Sequence, residues 1–265
     1  MTQTPQGDLD LILQAAREAG EIALRLRADG LSISYKDGRS PVTNADMAAD
    51  AYLMEVLRTA RPDYGWLSEE TADNDARLGC RRLFVVDPID GTRAFMGGKP
   101  WWVVSIAVVE DRRPVAGVVI APQLDEVYTA NAGAGAFLNG EPISVSTTCE
   151  LPGCGMVGDA RMFRHPEWPT PWPDMRIEAR NSTAYRMCLV AAGRFDAALA
   201  LVAKADWDLA AADLIAAEAG AFVGDHTGAP FAYNRRIPAQ PSLLCAAPAL
   251  APLIMERVRH IAIPT

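Results

Sequence analysis

Residues 87–92 read Asp-Pro-Ile-Asp-Gly-Thr, directly after the apolar run from Arg81 to Val86. Two carboxylates three residues apart at the end of a buried strand are costly, because an unpaired charge resists leaving water. A hard divalent cation offsets that cost. Pro88 fixes the backbone so that the Ile89 carbonyl can turn inward beside the carboxylates. Gly91 lets the chain approach an anion closely. The N–H groups of Gly91 and Thr92 would open a helical turn that can hold a phosphate oxygen. These donors are all oxygens, which points to Mg2+ or Mn2+ over Zn2+.

Two further acidic positions stand where an element starts or stops. Glu69-Glu70 follows the short run Trp66-Leu67-Ser68, and Asp208 opens a helix that begins near Trp207. Taken singly, each has an ordinary reading that is the better one, Glu69-Glu70 as a solvated turn and Asp208 as a helix N-cap.

The elements that must position these groups follow from periodicity. Leu9, Ile12, Leu13, Ala16, Ala19, Ala23 and Leu26 recur at helical spacing, with Asp8 as cap and Gly30 as stop. A second helix is predicted from about Ala45 to Ala60, capped near Asn44 and stopped before Pro62. Arg81 to Val86 reads as a strand halted by Asp87-Pro88. Valine-rich strands are expected at 101–110 and 114–121, then 126–130 and 136–138, followed by the hairpin signal Asn139-Gly140. The proline-rich stretch 150–175, with Trp168 and Trp172, reads as a long irregular connection. Beyond it the pattern predicts a strand near 176–180, a helix from Ser182 to Ala192, a strand from Phe195 to Leu201 and a helix from Trp207 to Ala219. Strand-like runs at 221–223 and 242–247 and a last helix from about 248 complete the chain. Helices and strands alternate without a GxGxxG fingerprint, so the expected class is a layered α/β (α+β) fold. Residues 1–145 would form an N-terminal lobe and 146–265 a C-terminal lobe of one catalytic unit.

Composition excludes several functions. The chain has 265 residues, half of them apolar, too many for a disordered protein. Lys plus Arg number 25 against 33 Asp plus Glu, a net charge of −8 with no basic stripe, so a nucleic-acid polymer is not an expected partner. Five irregularly spaced cysteines and three scattered histidines argue against a zinc site or a disulfide framework and fit a reducing compartment. The N-terminus lacks the basic-then-apolar pattern of a secretory signal, and no apolar run approaches a membrane span. A cytoplasmic, membrane-free protein is expected.

With the residues in hand, the sequence resembles the inositol monophosphatase superfamily. The likeness rests on Lys36, SPVTNAD at 40–46, SEET at 68–71, DPIDGTRAF at 87–95, GAGAFLNG at 133–140, STAYRMCLVAAG at 182–193 and WDLAAADLIAAEAG at 207–220. It implies an inositol-monophosphatase/fructose-bisphosphatase-like sandwich and a Mg2+-dependent, lithium-sensitive phosphomonoesterase. It implies two or three metal ions per site, with Mn2+ as a substitute. Glu69, Asp87 and the Ile89 carbonyl would hold the first metal, and Asp87, Asp90 and Asp208 the second. Glu69 would also touch a third metal or its water. Asp46 with Thr92 would orient or deprotonate the attacking water. Ile89, Asp90, Gly91, Thr92 and Asp208 would contact the substrate. A homodimer is an assembly common in the family.

Within the superfamily, KDGRSPVTNAD and Arg93 look more like the 3′(2′),5′-bisphosphate nucleotidase branch. The inositol branch places an acidic residue seven positions before the aspartate of the Trp-Asp motif, and here that position is Leu201. The expected substrate is a small phosphorylated metabolite, first 3′-phosphoadenosine 5′-phosphate, giving AMP and phosphate. An inositol monophosphate, a sugar phosphate or histidinol phosphate would follow. The serine-rich stretch of the nucleotidase branch is replaced by VGDARMF at 157–163, so Arg186 and Lys204 are the candidate anchors for a second phosphate. Trp168 and Trp172 read as packing residues, with base stacking as the other reading.

Overall fold

The structure, a computed structural model, describes residues 5–36, 40–166 and 168–263. The Asp37-Gly38-Arg39 part of the nucleotidase-like segment lies outside the described residues. In chain order, α1 (Pro5–Asp29) precedes an antiparallel pair, β1 (Ile33–Tyr35) and β2 (Pro41–Thr43), and then α2 (Asn44–Ala60). Next come β3 (Gly65–Ser68), β4 (Arg82–Asp90), α3 (Thr92–Met96), β5 (Val103–Glu110), β6 (Arg113–Ala121), β7 (Glu126–Asn131), β8 (Ala136–Leu138) and β9 (Glu141–Pro142). The remainder is β10 (Gly155–Val157), α4 (Ala160–Phe163), β11 (Arg176–Glu178), α5 (Thr183–Ala191), β12 (Ala197–Ala200), β13 (Lys204–Ala205) and α6 (Asp206–Glu218). It ends in β14 (Phe222–Gly224), β15 (Ala239–Gln240), β16 (Leu243–Ala246) and α7 (Ala251–Val258).

Strands β3 to β9 form a seven-stranded sheet in chain order, antiparallel except for the parallel pair β3–β4. A five-stranded sheet runs β11-β10-β12-β16-β14, with β10 parallel to both β11 and β12. Side chains alternate across a strand, and β4 shows the consequence. Phe84 and Val86 face α1 and α2, packing with Ile12, Leu53 and Leu57. Leu83 and Val85 face the other way, into a cluster with Cys188 of α5 and Leu209 and Ile215 of α6. That second cluster continues to Ala198 and Cys245 on the inner face of the smaller sheet, while Met156, Leu199 and Leu244 on its outer face pack with Ile254 and Val258 of α7. The result is five layers, helix–sheet–helix–sheet–helix. Strands buried on both faces read as continuous apolar runs, as 103–109 does. The helix α6 crosses the large sheet so closely that a Cβ at Gly117 would lie 2.8 Å from the Ala211 carbonyl oxygen.

Several expectations are corrected. Asp8 is not a cap. Helix α1 begins earlier, and the buried Asp8 carboxylate instead takes Arg61 Nε at 2.9 Å and the Tyr64 hydroxyl at 2.9 Å. The cap of α2 is Thr43 rather than Asn44. The short run Trp66-Leu67-Ser68 belongs to a strand, β3, paired in parallel with β4. β4 does not stop at Asp87-Pro88 but runs to Asp90. The stretch 150–175 is not irregular throughout, since it holds β10 and α4. Asn139-Gly140 does form the expected turn, both residues at positive φ (52° and 86°) between β8 and β9.

Candidate active site

In a regular strand, residues three apart point to opposite faces. Asp87 and Asp90 escape this rule because Asp87 pairs with Ser105 and Asp90 with Val103, a register shift that places one extra residue on β4. Such a bulge tolerates Pro88, which has no N–H for the ladder. It makes the two aspartates equivalent to neighbours two apart. Gly91 then takes φ +97°, and a Cβ there would lie 3.2 Å from Ser182 Cβ and 3.3 Å from the Trp101 carbonyl oxygen. The chain turns at once into α3 with Thr92 in its first turn.

Asp208 arrives from the first turn of α6, where its Oδ2 accepts from the Ala205 N–H at 3.2 Å. Ligand atoms of Asp87, Asp90 and Asp208 lie within 4.8 Å of one another. Asp87 uses one oxygen to accept from the Ile89 N–H at 3.0 Å, and its Oδ2 is buried with no hydrogen-bond partner among the described residues. Asp90 Oδ2 accepts from the Ser182 hydroxyl at 2.6 Å and the Ala184 N–H at 2.7 Å. An orphaned carboxylate oxygen next to the buried Asp90 and the half-buried Asp208 fits a hard divalent cation, which supplies the missing positive charge.

The electrostatics agree. Burial first, then the charges of Glu69, Asp90, Asp208 and Asp46, push the Asp87 carboxyl well above the ordinary aspartate range. Burial raises Asp90 as well, opposed by the Ser182 hydroxyl and the Ala184 N–H. Burial and the neighbouring Asp90 raise Asp208 to about 7. Without a cation, these groups resist sharing full negative charge.

Glu69 lies in the turn after β3, its N–H donating to the Val86 carbonyl at 3.2 Å. The Lys36 ammonium bridges Glu69 Oε1 at 3.0 Å and Glu70 Oε1 at 2.8 Å. Burial works against that ammonium, but Glu70 and Glu69 outweigh it and hold Lys36 above its usual pKa. Burial raises Glu70 to about 7. On α2, Asp46 closes a capping box: its Oδ2 accepts from the Thr43 N–H at 2.8 Å and the Thr43 hydroxyl at 2.6 Å. Its Oδ1 is 3.3 Å from the Thr92 hydroxyl, which also lies 3.2 Å from the Ile89 carbonyl. Burial raises the Asp46 pKa.

These groups open onto a cleft of about 300 Å³, lined by Glu69, Asp87, Asp90, Gly91, Thr92, Arg93, Lys204 and Asp208 together with Ser40, Asn181 and Thr183. Arg186 is not among the lining residues. It is half-buried on α5 and donates Nε to the Arg180 carbonyl at 2.6 Å. Ile89 buries its side chain and offers only its carbonyl. Trp168 and Trp172 pack edge-to-face 5.5 Å apart, and neither lines this cleft. Leu201 also stays outside it, half-buried against the outer cluster.

Two functional partners escaped the sequence reading. Ser182 was visible only as the start of a helix; that its hydroxyl reaches Asp90, 92 residues earlier, has no local signal. Asp50 looks like an ordinary helix-surface acid, yet it is buried and its oxygens accept from Ser68 and Thr71, tying α2 to the Glu69 turn. Among the described residues, no helix is long and apolar enough to cross a membrane.

A family model described as the inositol monophosphatase family matches residues 8–262. "Inositol monophosphatase 3" of Solanum lycopersicum is 33% identical over 240 residues, covering 86% of this chain and 89% of its own. "Histidinol-phosphatase" of Chlorobaculum parvum is 34% identical over 227 residues, covering 83% and 86%. The crystal structure of the extragenic suppressor protein suhB from Bartonella henselae superposes with a TM-score of 0.81 at 28% identity, covering 97% of this chain and all of that one.

Proposed function

The chain belongs to the inositol monophosphatase family, whose members are metal-dependent phosphomonoester hydrolases, and from that premise we propose that it releases phosphate from a small metabolite by direct attack of water, without a covalent intermediate. The observation that carries this reading is the meeting of Asp87, Asp90 and Asp208 within 4.8 Å around the unpartnered Asp87 Oδ2. These three, with Glu69 and the Ile89 carbonyl, would hold two or three Mg2+ ions, for which Mn2+ can substitute. Bound there, the ions would screen the anionic ester from the carboxylates and acidify a water.

The chain's own groups supply the rest. Thr43 occupies Asp46 Oδ2 with two donors, so Oδ1 is the oxygen left to accept a proton. The Thr92 hydroxyl has one hydrogen to give, to Asp46 Oδ1 or the Ile89 carbonyl, and its lone pairs remain to accept from water. Asp46 and Thr92 thus orient the attacking water and take its proton. Asp46, Glu69, Asp87 and Asp90 come from residues 1–145, and Asp208 and Lys204 from 146–265, so the two lobes act as one catalytic unit.

The leading substrate is 3′-phosphoadenosine 5′-phosphate, cleaved to AMP and phosphate. Arg93 and Lys204 line the same cleft as the carboxylates and offer charge to a second phosphate. Leu201 supplies no carboxylate for sugar hydroxyls. An inositol monophosphate or histidinol phosphate is the second reading, favoured by the names that the relatives carry. A phosphate-release panel in Mg2+ tests this: the bisphosphate should exceed inositol 1-phosphate, histidinol phosphate and fructose 1,6-bisphosphate in kcat/KM. Preference for the inositol ester would reverse the ranking. No release from any ester would end the phosphatase reading. The protein is proposed to work in the cytoplasm, as a homodimer.

A further inference from the structure

Glu69 and Asp208 reach the cleft from two different lobes. Glu69 follows β3, the strand at one end of the seven-stranded sheet, which pairs with β4 alone. An edge strand has no ladder on its outer side. Asp208 stands in the first turn of α6, where the flanking Ala205 supplies no side-chain cap. Such a helix start must have its N–H groups met by other means. Ligand groups work only when held within about 0.5 Å of their productive geometry, so both ends need support from elsewhere.

One continuous set of hydrogen bonds, centred on Arg77, lies against both. This buried arginine belongs to the short 3-10 helix Asp75–Gly79. That helix presses on β3: a Cβ at Gly65 would lie 3.3 Å from Arg77 Cα. Arg77 grips Asp73 with two bonds, Nε to Oδ1 at 2.6 Å and Nη2 to Oδ2 at 2.7 Å. Its Nη1 crosses 157 residues of chain to donate to Asn234 Oδ1 at 2.7 Å, and also donates to the Arg235 carbonyl at 3.0 Å. Asn234 Nδ2 returns a bond to the Arg77 carbonyl at 3.2 Å. The Asn234 N–H then donates to Asp206 Oδ2 at 3.1 Å, and Gln240 Nε2 donates to Asp206 Oδ1 at 2.8 Å. The Asp206 N–H in turn donates to the Pro238 carbonyl at 2.9 Å. Asp206 is the first residue of α6, two before Asp208. A buried guanidinium is costly unless paired, and its planar fork lets one side chain hold Asp73 and the 234–235 segment at once. Arg77, Asn234 and Asp206 do not line the cleft. Their bonds instead join the strand that leads into Glu69 to the helix that carries Asp208.

Resting on the metal-dependent reading above, we propose that Arg77 and Asn234 are positioning residues, a brace across the two lobes that fixes Glu69 against Asp208 for divalent-cation binding. Neither touches the cation. Arg77 acts through β3, and Asn234 acts through Asp206.

The test titrates Mn2+ into the folded full-length protein by calorimetry, beside thermal melts in a chelator. Arg77→Met removes the guanidinium. Asn234→Gly removes the amide, suits the left-handed backbone there (φ 55°) and keeps the N–H on Asp206. Arg61→Met is the control, breaking another buried ion pair, Nε to Asp8 Oδ1 at 2.9 Å, at the end of α2 opposite Asp46. Each brace variant should weaken Mn2+ binding about ten-fold or more. The double variant should stay within about two-fold of the weaker single, because the two side chains form one link. Arg61→Met should lower Tm and leave Mn2+ affinity within about two-fold. Unchanged affinity in the brace variants, or losses that multiply in the double variant, overturns the proposal. So does an equal loss in Arg61→Met, which would trace the effect to stability alone. Should Arg77→Met not fold, Asn234→Gly carries the same prediction. Mn2+ binding that depends on the brace while no ester is hydrolysed would support the brace and sink the phosphatase reading alone. A wild type that binds no Mn2+ would end the metal reading and the brace with it.

Discussion

The Ser182 hydroxyl lies 2.6 Å from Asp90 Oδ2 and also accepts the Tyr185 N–H at 2.9 Å. A serine hydroxyl has one hydrogen. Because it accepts at the start of α5, that hydrogen is free to go to the aspartate. One atom therefore closes a helix in the second half of the chain and orients a carboxylate at the end of β4 in the first.

Removing the hydroxyl should loosen Asp90 without deleting it. Ser182→Ala is expected to raise the Mg2+ concentration for half-maximal activity about ten-fold or more, the usual effect of losing a group that orients a ligand. Ser182→Thr should restore it. Equal Mg2+ requirements in all three proteins would show that Ser182 only caps α5.

Asp46 and Thr92 should separate chemistry from metal binding. Asp46→Asn and Thr92→Val are each expected to cut kcat by about 10²–10⁴-fold, the range for losing a group that handles a proton. Mg2+ affinity, read by calorimetry, should move little. A loss confined to metal affinity would assign both residues to the metal instead.

Metal-free protein should lose stability as pH rises. The Asp208 carboxyl titrates near 7 when folded and near 4 when unfolded. Between those values the folded state holds the proton and the unfolded state does not. The stability this confers is therefore full below about pH 4 and is lost as pH climbs through about 7. Thermal melts from pH 5 to 8 in a chelator should show a falling Tm, and Asp208→Asn should flatten the slope. Saturating Mg2+ should raise Tm most at the alkaline end, where the carboxylates are free to bind it. A Tm that rises with pH in the chelator would contradict the account.

Gly91→Ala probes the turn itself. At φ +97°, with Ser182 and the Trp101 carbonyl crowding the new methyl group, the substitution should cost about 1–3 kcal/mol. Denaturant unfolding reads it. An unchanged midpoint would show that the loop relaxes freely.

The reach of the sequence is uneven for physical reasons. Asp87 and Asp90 could be picked out because a strand feeding straight into two carboxylates is a local pattern. What brings them to one side, the extra residue opposite Ser105 and Val103, is a property of pairing with β5 and leaves no local mark. The same bulge defeated the reading of Asp87-Pro88 as a stop, since a proline inside a strand is tolerated there. Asp8 misled because a cap and a buried ion-pair partner look alike until Arg61 folds back 53 residues later. The layers were readable from strands such as Val103–Glu110, apolar on both faces, whereas the short β10 and α4 were hidden among prolines. Asp208 entered the site through its resemblance to a family motif, because α6 reaches β4 only by crossing the sheet at Gly117.

Crystals soaked in Mn2+ and measured at the manganese edge test the site most directly. Anomalous peaks between Asp87, Asp90 and Asp208, lost in Asp90→Asn along with Mg2+-dependent phosphate release, are the expected result. Peaks elsewhere, or no peak beside a fully active Asp90→Asn enzyme, would contradict it.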